Sequence, residues 1–393
     1  MEMFDWVGLL LKAAYYYGQI IGLCNFKIDW QRGRVVAAQR SIIFAIAINV
    51  LICMVVLLQI SKKFNLDSYF SKVNQLHQYV IIVMVSLRMA SGVSTILNRW
   101  HQRAQLMRMA ECVFRLFLKK PQVKQMSRWA ILVKLSVAVV SDFLQMAISI
   151  DSVGRLGSKQ FVGMALEFWM SAIINMALSQ YYLIILFVRA YYHLLKTELR
   201  QVIHESQMLS ETYPRRGAFM TKCCFLADRI DNIAKLQNEL QSIVAQLNQM
   251  FDLQGMMVYV GYYIFFISTN YITYSLAKNG IEQLHLTVRA VALGFSWCFF
   301  YYMDAILNLF VILNLLDDHK ELERILEDRT LFTSALDVRL EQSFESIQLQ
   351  LIRNPFKFEV LDIFTITRSS SAAMMGSIIT HSIFLIQYDM EYF

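Results

Sequence analysis

The sequence predicts an all-α membrane protein with seven transmembrane helices, and three observations support this prediction. Hydrophobic residues make up 56% of the 393 residues and charged residues 17%, whereas soluble proteins have roughly 45–50% apolar and about 25% charged residues. Only 14 glycines and 3 prolines are present, which disfavours disordered, collagen-like and turn-rich β architectures. Finally, a transmembrane helix needs roughly 20 apolar residues, and apolar stretches of this length recur along the chain.

Six of these stretches are long, and a seventh is shorter and contains more Ser, Thr and Gly, as expected for a helix that packs against copies of itself or lines water. The predicted spans are Ser41–Ile60, Leu76–Leu97, Trp129–Ile150, Phe161–Val188, Gly255–Ala277, Leu286–Leu316 and Ser371–Tyr388. They divide the chain into an N-terminal segment (1–40), spans one to four (41–188), a linker (189–254), spans five and six (255–316), a second linker (317–370), span seven (371–388) and a tail (389–393).

The distribution of basic residues predicts the orientation of the spans. Segments on one side of the predicted membrane carry 28 Lys and Arg residues, and those on the other side carry 6. Because cytoplasmic loops are enriched in Lys and Arg, the N-terminus and both linkers are expected inside and the C-terminus outside. This orientation is the reverse of that of a G-protein-coupled receptor. It also accounts for the net charge of +7 without nucleic-acid binding, because the basic residues form no stripe among stacking aromatics.

Three segments outside the predicted spans are expected to be helical. The first apolar stretch, 7–23, contains Lys12 and lacks a signal-peptide cleavage site, so we interpret it as an interfacial or cytoplasmic helix. Apolar residues recur every three or four positions in 226–251 and 340–351, which predicts two amphipathic cytoplasmic helices. These helices either pack together or against another subunit, or they simply prolong the neighbouring spans.

No enzymatic motif is present. The chain has no P-loop, HExxH or GxSxG sequence, and its histidines and six cysteines lack the spacing of a metal site or a disulfide framework. We therefore expect neither an enzyme nor a bound metal or cofactor.

Ionisable residues inside the spans are candidate functional residues, because a charge at the bilayer centre costs at least about 2.5–3.5 kcal/mol. Arg88 and Asp142 lie near the middles of spans two and three, so they either form a structural ion pair or face a ligand cavity. Glu167 in span four and Asp304 in span six allow the same two interpretations. Lys134 lies nearer a span end, where its ammonium can reach the interface.

Aromatic residues are dense toward the outer halves of spans four to six, where they form either an interfacial belt or a pocket for a small organic ligand. With the ionisable residues above, the candidate pocket consists of Arg88, Asp142, Glu167, Trp169, Tyr262, Phe265 and Trp297.

Span seven carries polar side chains along one helix face. Thr380 and Gln387 are seven residues apart, and Phe384 falls roughly on the same face. Asp389 and Glu391 follow at the predicted outer end. Around a symmetry axis, several copies of this helix would form a narrow pathway with polar collars, apolar rings and an acidic mouth that concentrates cations. The pathway carries no fixed charge, which favours weak selectivity among cations.

The end of the chain resembles the TYhhhhhQF signature of insect gustatory receptors, in which h is hydrophobic. Thr380, the run Ser382–Ile386 and Gln387 match the signature, whereas His381 replaces its Tyr and Tyr388 replaces its Phe. The length, the seven spans, the inverted orientation and the amphipathic region before span seven are also similar to that family.

The resemblance implies a tetrameric, ligand-gated cation channel of chemosensory neurons, in the plasma membrane, with a small-molecule tastant and membrane lipid as partners. It implies that Thr380 and Gln387 line the pore, that Gln387 and Tyr388 form part of the gate, and that a tastant binds in the outer half of each subunit. The glycine- and acid-rich features expected of a sugar receptor are absent, so a bitter or other non-sugar ligand is favoured. A metabotropic receptor and a secondary transporter are the alternatives, and the choice between homomeric and heteromeric assembly stays open.

Overall fold

The computed structural model describes residues 6–30, 33–61, 75–156, 161–211, 216–283, 287–330, 337–361 and 363–392. Within these ranges, ten helices and two short antiparallel hairpins follow one another. The helices are α1 (Trp6–Ile20), α2 (Gln39–Ser61), α3 (Gln75–His101), α4 (Arg103–Lys119), α5 (Pro121–Leu156), α6 (Phe161–Glu211), α7 (Arg216–Gln283), α8 (Val288–Thr330), α9 (Val338–Arg353) and α10 (Arg368–Tyr392). The strands are β1 (Lys27–Asp29), β2 (Arg34–Val36), β3 (Glu359–Val360) and β4 (Phe364–Thr365).

Seven of these helices are long and apolar enough to cross a membrane, which confirms the all-α, seven-span prediction. They are α2, α3, α5, α6, α7, α8 and α10. Each contains one predicted span, except that α8 begins two residues after the predicted start of span six. Only the first residue of span six, Leu286, lies outside the described residues. Several helices continue far beyond the apolar stretch. In α7, Gly280 has a non-helical φ of 78° and marks a kink near the end of the helix. At 1.5 Å per residue, the part before the kink, 216–279, is roughly 95 Å long, twice or more what a bilayer requires.

The bundle core is formed mainly by α5, α6 and α8, with α3 and α7 packed beside them. Close approach of α3 to α6 requires Gly92, because a Cβ atom at this position would lie only 2.4 Å from the Met170 sulfur. The apolar faces of the amphipathic segments are also part of the core, since Leu226, Leu240, Leu247 and Phe344 are fully or almost fully buried.

The two predicted amphipathic helices pack together, and one of them also prolongs a span. Residues 226–251 belong to the same continuous helix α7 as span five, whereas α9 is a separate helix that packs along α7. Gln350 of α9 donates to the Ala234 carbonyl (3.1 Å) and to Gln237 Oε1 (2.5 Å). An Asp337 side chain that accepts from the Arg339 backbone N–H caps the start of α9.

The position of α1 differs from the expected interfacial or cytoplasmic location. The Tyr17 hydroxyl donates to Asp142 Oδ2 (2.7 Å), near the middle of span three. The Trp169 indole N–H of span four donates to the Ile21 carbonyl (3.3 Å). After α1, Gly22 adopts a φ of +82°, which favours glycine. The end of α1 therefore packs against α5 and α6, beside the middle of predicted span three, before the chain turns back at Gly22.

Candidate ligand pocket and pore helix

An ion pair joins α3 to α6 at the edge of the aromatic region. Arg88 Nη1 lies 2.9 Å from Glu167 Oε1, and both side chains are largely buried. The Arg88 guanidinium also lies 4.9 Å from the centroid of the Trp297 ring of α8, within the range of a cation–π interaction. Arg88 thus contacts two other spans, and of the two interpretations open for it, the structure pairs it with Glu167 and not with Asp142 and places it in the lining of a cavity.

Aromatic side chains of α7 and α8 form a continuous cluster beside Arg88. Phe265 contacts Trp297 edge-on at 5.3 Å between ring centroids and Tyr301 at 4.6 Å. Phe266 stacks on Tyr302 at 3.8 Å, and Tyr262 contacts Tyr301 at 5.0 Å. Three of the predicted pocket residues, Tyr262, Phe265 and Trp297, therefore lie in one cluster, as the aromatic density of spans five and six suggested.

This cluster borders a small cavity of about 50 Å³ between α3, α6, α7 and α8. Its polar lining residues include Arg88, Ser91, Ser171, Asn175, Tyr262 and Tyr301. Ligand pockets usually measure roughly 300–1,000 Å³. An organic ligand therefore needs the aromatic side chains to move apart. Beside the cavity, the Trp297 indole N–H is buried and has no hydrogen-bond partner among the described residues.

A buried ion pair joins α5 to α8 next to the aromatic cluster. Lys134 Nζ lies 2.5 Å from Asp304 Oδ1 and donates to Asn308 Oδ1 at 3.3 Å. Asn308 Nδ2 donates to the other Asp304 carboxylate oxygen at 3.0 Å. The Lys134 side chain is 0% exposed, so the expectation that it reaches the interface is wrong. Sequence alone did not reveal the pairing, because the partners are 170 residues apart.

Of the seven predicted pocket residues, Arg88, Tyr262 and Phe265 line the aromatic cavity, Glu167 and Trp297 contact Arg88 beside it, and Asp142 and Trp169 lie elsewhere. Asp142 accepts hydrogen bonds from Tyr17 of α1 and from Asn175 Nδ2 of α6 (2.7 Å each). Trp169 packs in a separate apolar cluster with Ile21 and Leu23. Both side chains therefore contribute to the contact of α1 with the bundle. The sequence did not reveal this contact, because no local pattern placed α1 beside the spans.

The last helix, α10, packs on α7 through a line of polar contacts. The Tyr263 hydroxyl lies 2.7 Å from Ser377 Oγ and 2.9 Å from His381 Nδ1. Asn270 donates to Ser382 Oγ at 3.0 Å. Near the end of the helix, Asp389 accepts from the Tyr271 hydroxyl and from Lys278 Nζ, at 3.0 Å each. Ser382 and Asp389 are seven residues apart, which puts both on the α7-facing side.

The opposite face of α10 is uncovered in the single chain. The predicted pore and gate residues are exposed, and these are Thr380, Phe384, Gln387 and Tyr388. Glu391 is exposed as well. Asp389 differs from expectation, because its side chain is buried against α7 and paired with Lys278. Within the chain, Asp389 stabilises the α7–α10 contact instead of presenting an open carboxylate at the outer mouth.

The start of α10 is fixed to the extended ends of α7 and α8. Arg368 at the first position of α10 forms an ion pair with Asp317 of α8. The β3–β4 hairpin precedes α10, and its Leu361 N–H donates to the Asp252 carboxylate of α7. Leu361 itself has a positive φ of 52°. The ion pair and the hairpin thus connect the start of α10 to α8 and α7.

A seven-span helical bundle that encloses an aromatic cavity and leaves its last helix exposed has the organisation of a membrane receptor. A family model described as 7tm chemosensory receptor matches residues 11–392. Gustatory receptor 36a of Drosophila melanogaster is 83% identical over 391 residues, which cover 100% of both chains. Gustatory receptor 36c of the same species is 46% identical over 390 residues, which cover 99% of this chain and 100% of the relative. The chain belongs to the insect gustatory receptors of the chemosensory receptor family.

Solved structures share this fold. The insect olfactory receptor OR5 from Machilis hrabei superposes with a TM-score of 0.61 at 12% identity, covering 98% of this chain and 100% of that receptor. The same receptor in complex with eugenol superposes with a TM-score of 0.58 at 13% identity and equal coverage. The chain is therefore a multi-pass membrane receptor with an insect olfactory receptor fold, and its relatives are receptors and not enzymes.

Proposed function

We propose that this gustatory receptor is a tastant-gated, weakly selective cation channel. In this proposal four subunits, identical or mixed with related subunits, surround one central pore. The observation that carries the proposal is the uncovered face of α10. The exposed face of this membrane-spanning helix includes Thr380 and Gln387. The Thr380 hydroxyl donates to the Gly376 carbonyl within the helix, but the Gln387 side-chain amide requires water or other polar groups beside it, because lipid leaves an amide group unpaired. Copies of α10 around an axis supply both.

The pore lining follows from the same helix. Thr380 and Gln387 form polar collars, Phe384 and Tyr388 provide rings that close the pathway, and Glu391 lies at the outer mouth. The lining has no fixed charge between the collars, so dehydrated monovalent cations are distinguished only weakly. Asp389 takes no part in the lining, because Lys278 and Tyr271 occupy its carboxylate.

The tastant site in this proposal is the aromatic cavity of the outer half. Arg88, Tyr262 and Phe265 line it, Trp297 packs against Arg88 and Phe265 beside it, and Glu167 holds Arg88 in place. A ligand that separates Phe265 from Trp297 displaces α8 relative to α7. The Arg368–Asp317 pair then transmits the displacement to α10. Opening requires that the ligand binds the expanded, open form more tightly than the closed form. The size of the aromatic residues favours an aromatic or polycyclic, non-sugar tastant, including bitter compounds.

The test is electrical recording from cells that express this chain alone and then with related gustatory receptor subunits, during application of a panel of bitter and sugar compounds. We expect unitary cation currents that begin without a G-protein step and persist in excised patches. Currents that disappear on excision and need guanine nucleotides would instead support a metabotropic receptor. Uptake of a substrate in fixed stoichiometry without unitary steps would support a secondary transporter. An N-terminal tag that is accessible on intact cells would contradict the proposed orientation.

A further inference from the structure

A second cavity lies outside the aromatic site, between α1, α5 and α6. Its volume is about 360 Å³, within the usual size of a site for a small organic molecule. The wall is almost entirely aliphatic and aromatic, and includes Leu10, Ala138, Val139, Phe143, Met146 and Phe168. Val139, Phe143 and Met146 are exposed on the outside of the single chain, so this cavity, which we call the α1 groove, opens laterally from the bundle.

Asp142 is the acidic residue of this wall, and no basic side chain is paired with it in the described part of the chain. Within the described parts of the seven predicted spans the acidic residues are Asp142, Glu167 and Asp304. Glu167 is paired with Arg88 at 2.9 Å and Asp304 with Lys134 at 2.5 Å. In the described part of the chain no Lys, Arg or His nitrogen lies within 4 Å of the Asp142 carboxylate. Among the described residues, the neutral donors Tyr17 and Asn175 form hydrogen bonds to it.

Two neutral hydrogen bonds leave Asp142 incompletely satisfied. A carboxylate offers about four lone-pair sites to donors, and Tyr17 and Asn175 use one on each oxygen. A buried charge without a counter-ion is costly, and an added cation recovers part of that cost. An apolar wall with one carboxylate therefore complements a molecule that has an apolar body and one positively charged group.

We propose that the α1 groove binds hydrophobic amines, with the protonated nitrogen against Asp142 and the hydrocarbon body along α1 and α5. The site is separate from the aromatic cavity, which shares only Asn175 with it. Such amines partition into bilayers and reach the groove laterally past Val139 and Phe143. A bound amine contacts both α1 and Asp142 of α5, the same carboxylate that accepts from Tyr17. It therefore stabilises the packing of α1 against the bundle.

Photolabelling of the full-length receptor in lipid nanodiscs tests this proposal directly. The probe is a decylamine that carries a diazirine on its alkyl chain, and the control probe is the corresponding neutral decanol. We expect the amine to label groove residues of α1 and α5 more strongly than the alcohol at equal concentration in the bilayer. A charge-assisted hydrogen bond contributes about 1.5–3 kcal/mol, so the expected ratio is roughly ten- to a hundredfold. An excess of N,N-dimethyldecylamine should abolish the specific labelling.

Two variants separate charge from shape. Asp142→Asn preserves the size of the side chain and should lower amine labelling to the level of the alcohol. Ala138→Trp fills the groove while it keeps the carboxylate, and should suppress both probes. Asp228→Asn is the matched control, because it makes the same carboxylate-to-amide change at an exposed position of α7, and groove labelling should stay unchanged. Size-exclusion chromatography verifies that each variant retains its assembly.

Equal labelling by the amine and the alcohol, or undiminished amine labelling of Asp142→Asn, would overturn the proposal. So would amine labelling that maps only to α7 and α8. These outcomes do not depend on whether the receptor conducts ions, because the readout is the labelled peptide. Failure of the channel proposal and failure of the amine site are therefore distinguishable.

Discussion

Lys134 of α5 and Asp304 of α8 form a completely buried ion pair, with 2.5 Å between Nζ and Oδ1. The pair joins span three to span six at the level of the aromatic cluster, and Asn308 bonds to both partners. An interior ion pair is costly to desolvate, so it gives little net stability relative to apolar residues, but loss of one partner leaves an uncompensated charge.

This relationship predicts opposite effects for single and double substitutions. Lys134→Met should destabilise the receptor by about 3–5 kcal/mol, because Asp304 remains buried without a cation. Adding Asp304→Leu to Lys134→Met should restore most of the lost stability. The measurement is the thermal unfolding midpoint of the purified receptor in detergent. Lys120→Met serves as the control, since Lys120 is 43% exposed and lies 3.8 Å from Glu198. It should leave the midpoint almost unchanged, because exposed pairs contribute about 0–1 kcal/mol. A double variant no more stable than Lys134→Met would contradict this account.

Phe265 should determine ligand potency in the aromatic cavity. Phe265→Leu keeps an apolar side chain but removes the edge-on contact with Trp297 and the contact with Tyr301. Aromatic pairs contribute about 0.5–1.5 kcal/mol, so we expect the half-maximal tastant concentration to change about two- to tenfold while ion selectivity stays constant. Dose–response curves for a tastant that activates the parent receptor provide the measurement.

Trp169→Phe is the matched control for the Phe265 variant. The sequence placed both residues in one pocket, but Trp169 packs beside Ile21 and donates to its carbonyl. Its replacement should therefore reduce stability and leave potency unchanged. A large potency shift for Trp169→Phe with none for Phe265→Leu would move the ligand site from the aromatic cavity toward α1.

Periodic and compositional features of the sequence predicted most of the fold, whereas side-chain partners across the bundle were not predictable. The seven spans and the buried faces of α7 and α9 follow from apolar runs and three- and four-residue spacing, which are local properties. Arg88 instead illustrates a limit of such reasoning. Arg88 and Asp142 lie near the middles of two adjacent antiparallel spans, which suggested an ion pair between them. In the structure, the rotation of the helices about their axes places Glu167 beside Arg88. Rotation depends on packing of all neighbouring spans and leaves no local signal.

The same limit applies to α1 and to α10. Lys12 and the tyrosines of α1 indicated an interfacial helix, because hydropathy carries no information on a polar contact such as Tyr17 with Asp142. For α10, the seven-residue spacing correctly grouped Thr380 with Gln387 on one exposed face. It did not reveal that Asp389 lies on the other side, where Lys278 of α7 neutralises it. The sequence was therefore sufficient to propose candidate pore residues, but it did not reveal which side chains of α7 contact α10.

Substitutions on the exposed face of α10 should alter ion permeation without loss of assembly. Gln387→Ala removes a polar collar, and Tyr388→Ala removes a ring and its contact with Tyr392, 4.7 Å between centroids. We expect either variant to change basal leak or the relative permeability of sodium, potassium and calcium, measured from reversal potentials. Ser382→Ala is the control, because Ser382 is buried against Asn270 of α7, and its reversal potentials should equal those of the parent receptor. Unchanged currents in both Gln387→Ala and Tyr388→Ala would exclude α10 as the pore lining.

Cysteine accessibility should reveal the orientation of the bundle. Cys224 is half-buried on the part of α7 that is expected in the cytoplasm, and Cys24 is buried in the turn after α1. Burial raises the pKa of the Cys24 thiol to about 11, so almost no reactive thiolate is present at neutral pH. In single-cysteine variants, a membrane-impermeant maleimide should label Cys224 only after permeabilisation and should label Cys24 only after denaturation. Cys223 is fully buried next to Cys224, and a variant that retains only Cys223 controls for unfolding. Labelling of Cys224 on intact cells would reverse the orientation, and with it the assignment of the C-terminal end of α10 to the outer mouth of the pore.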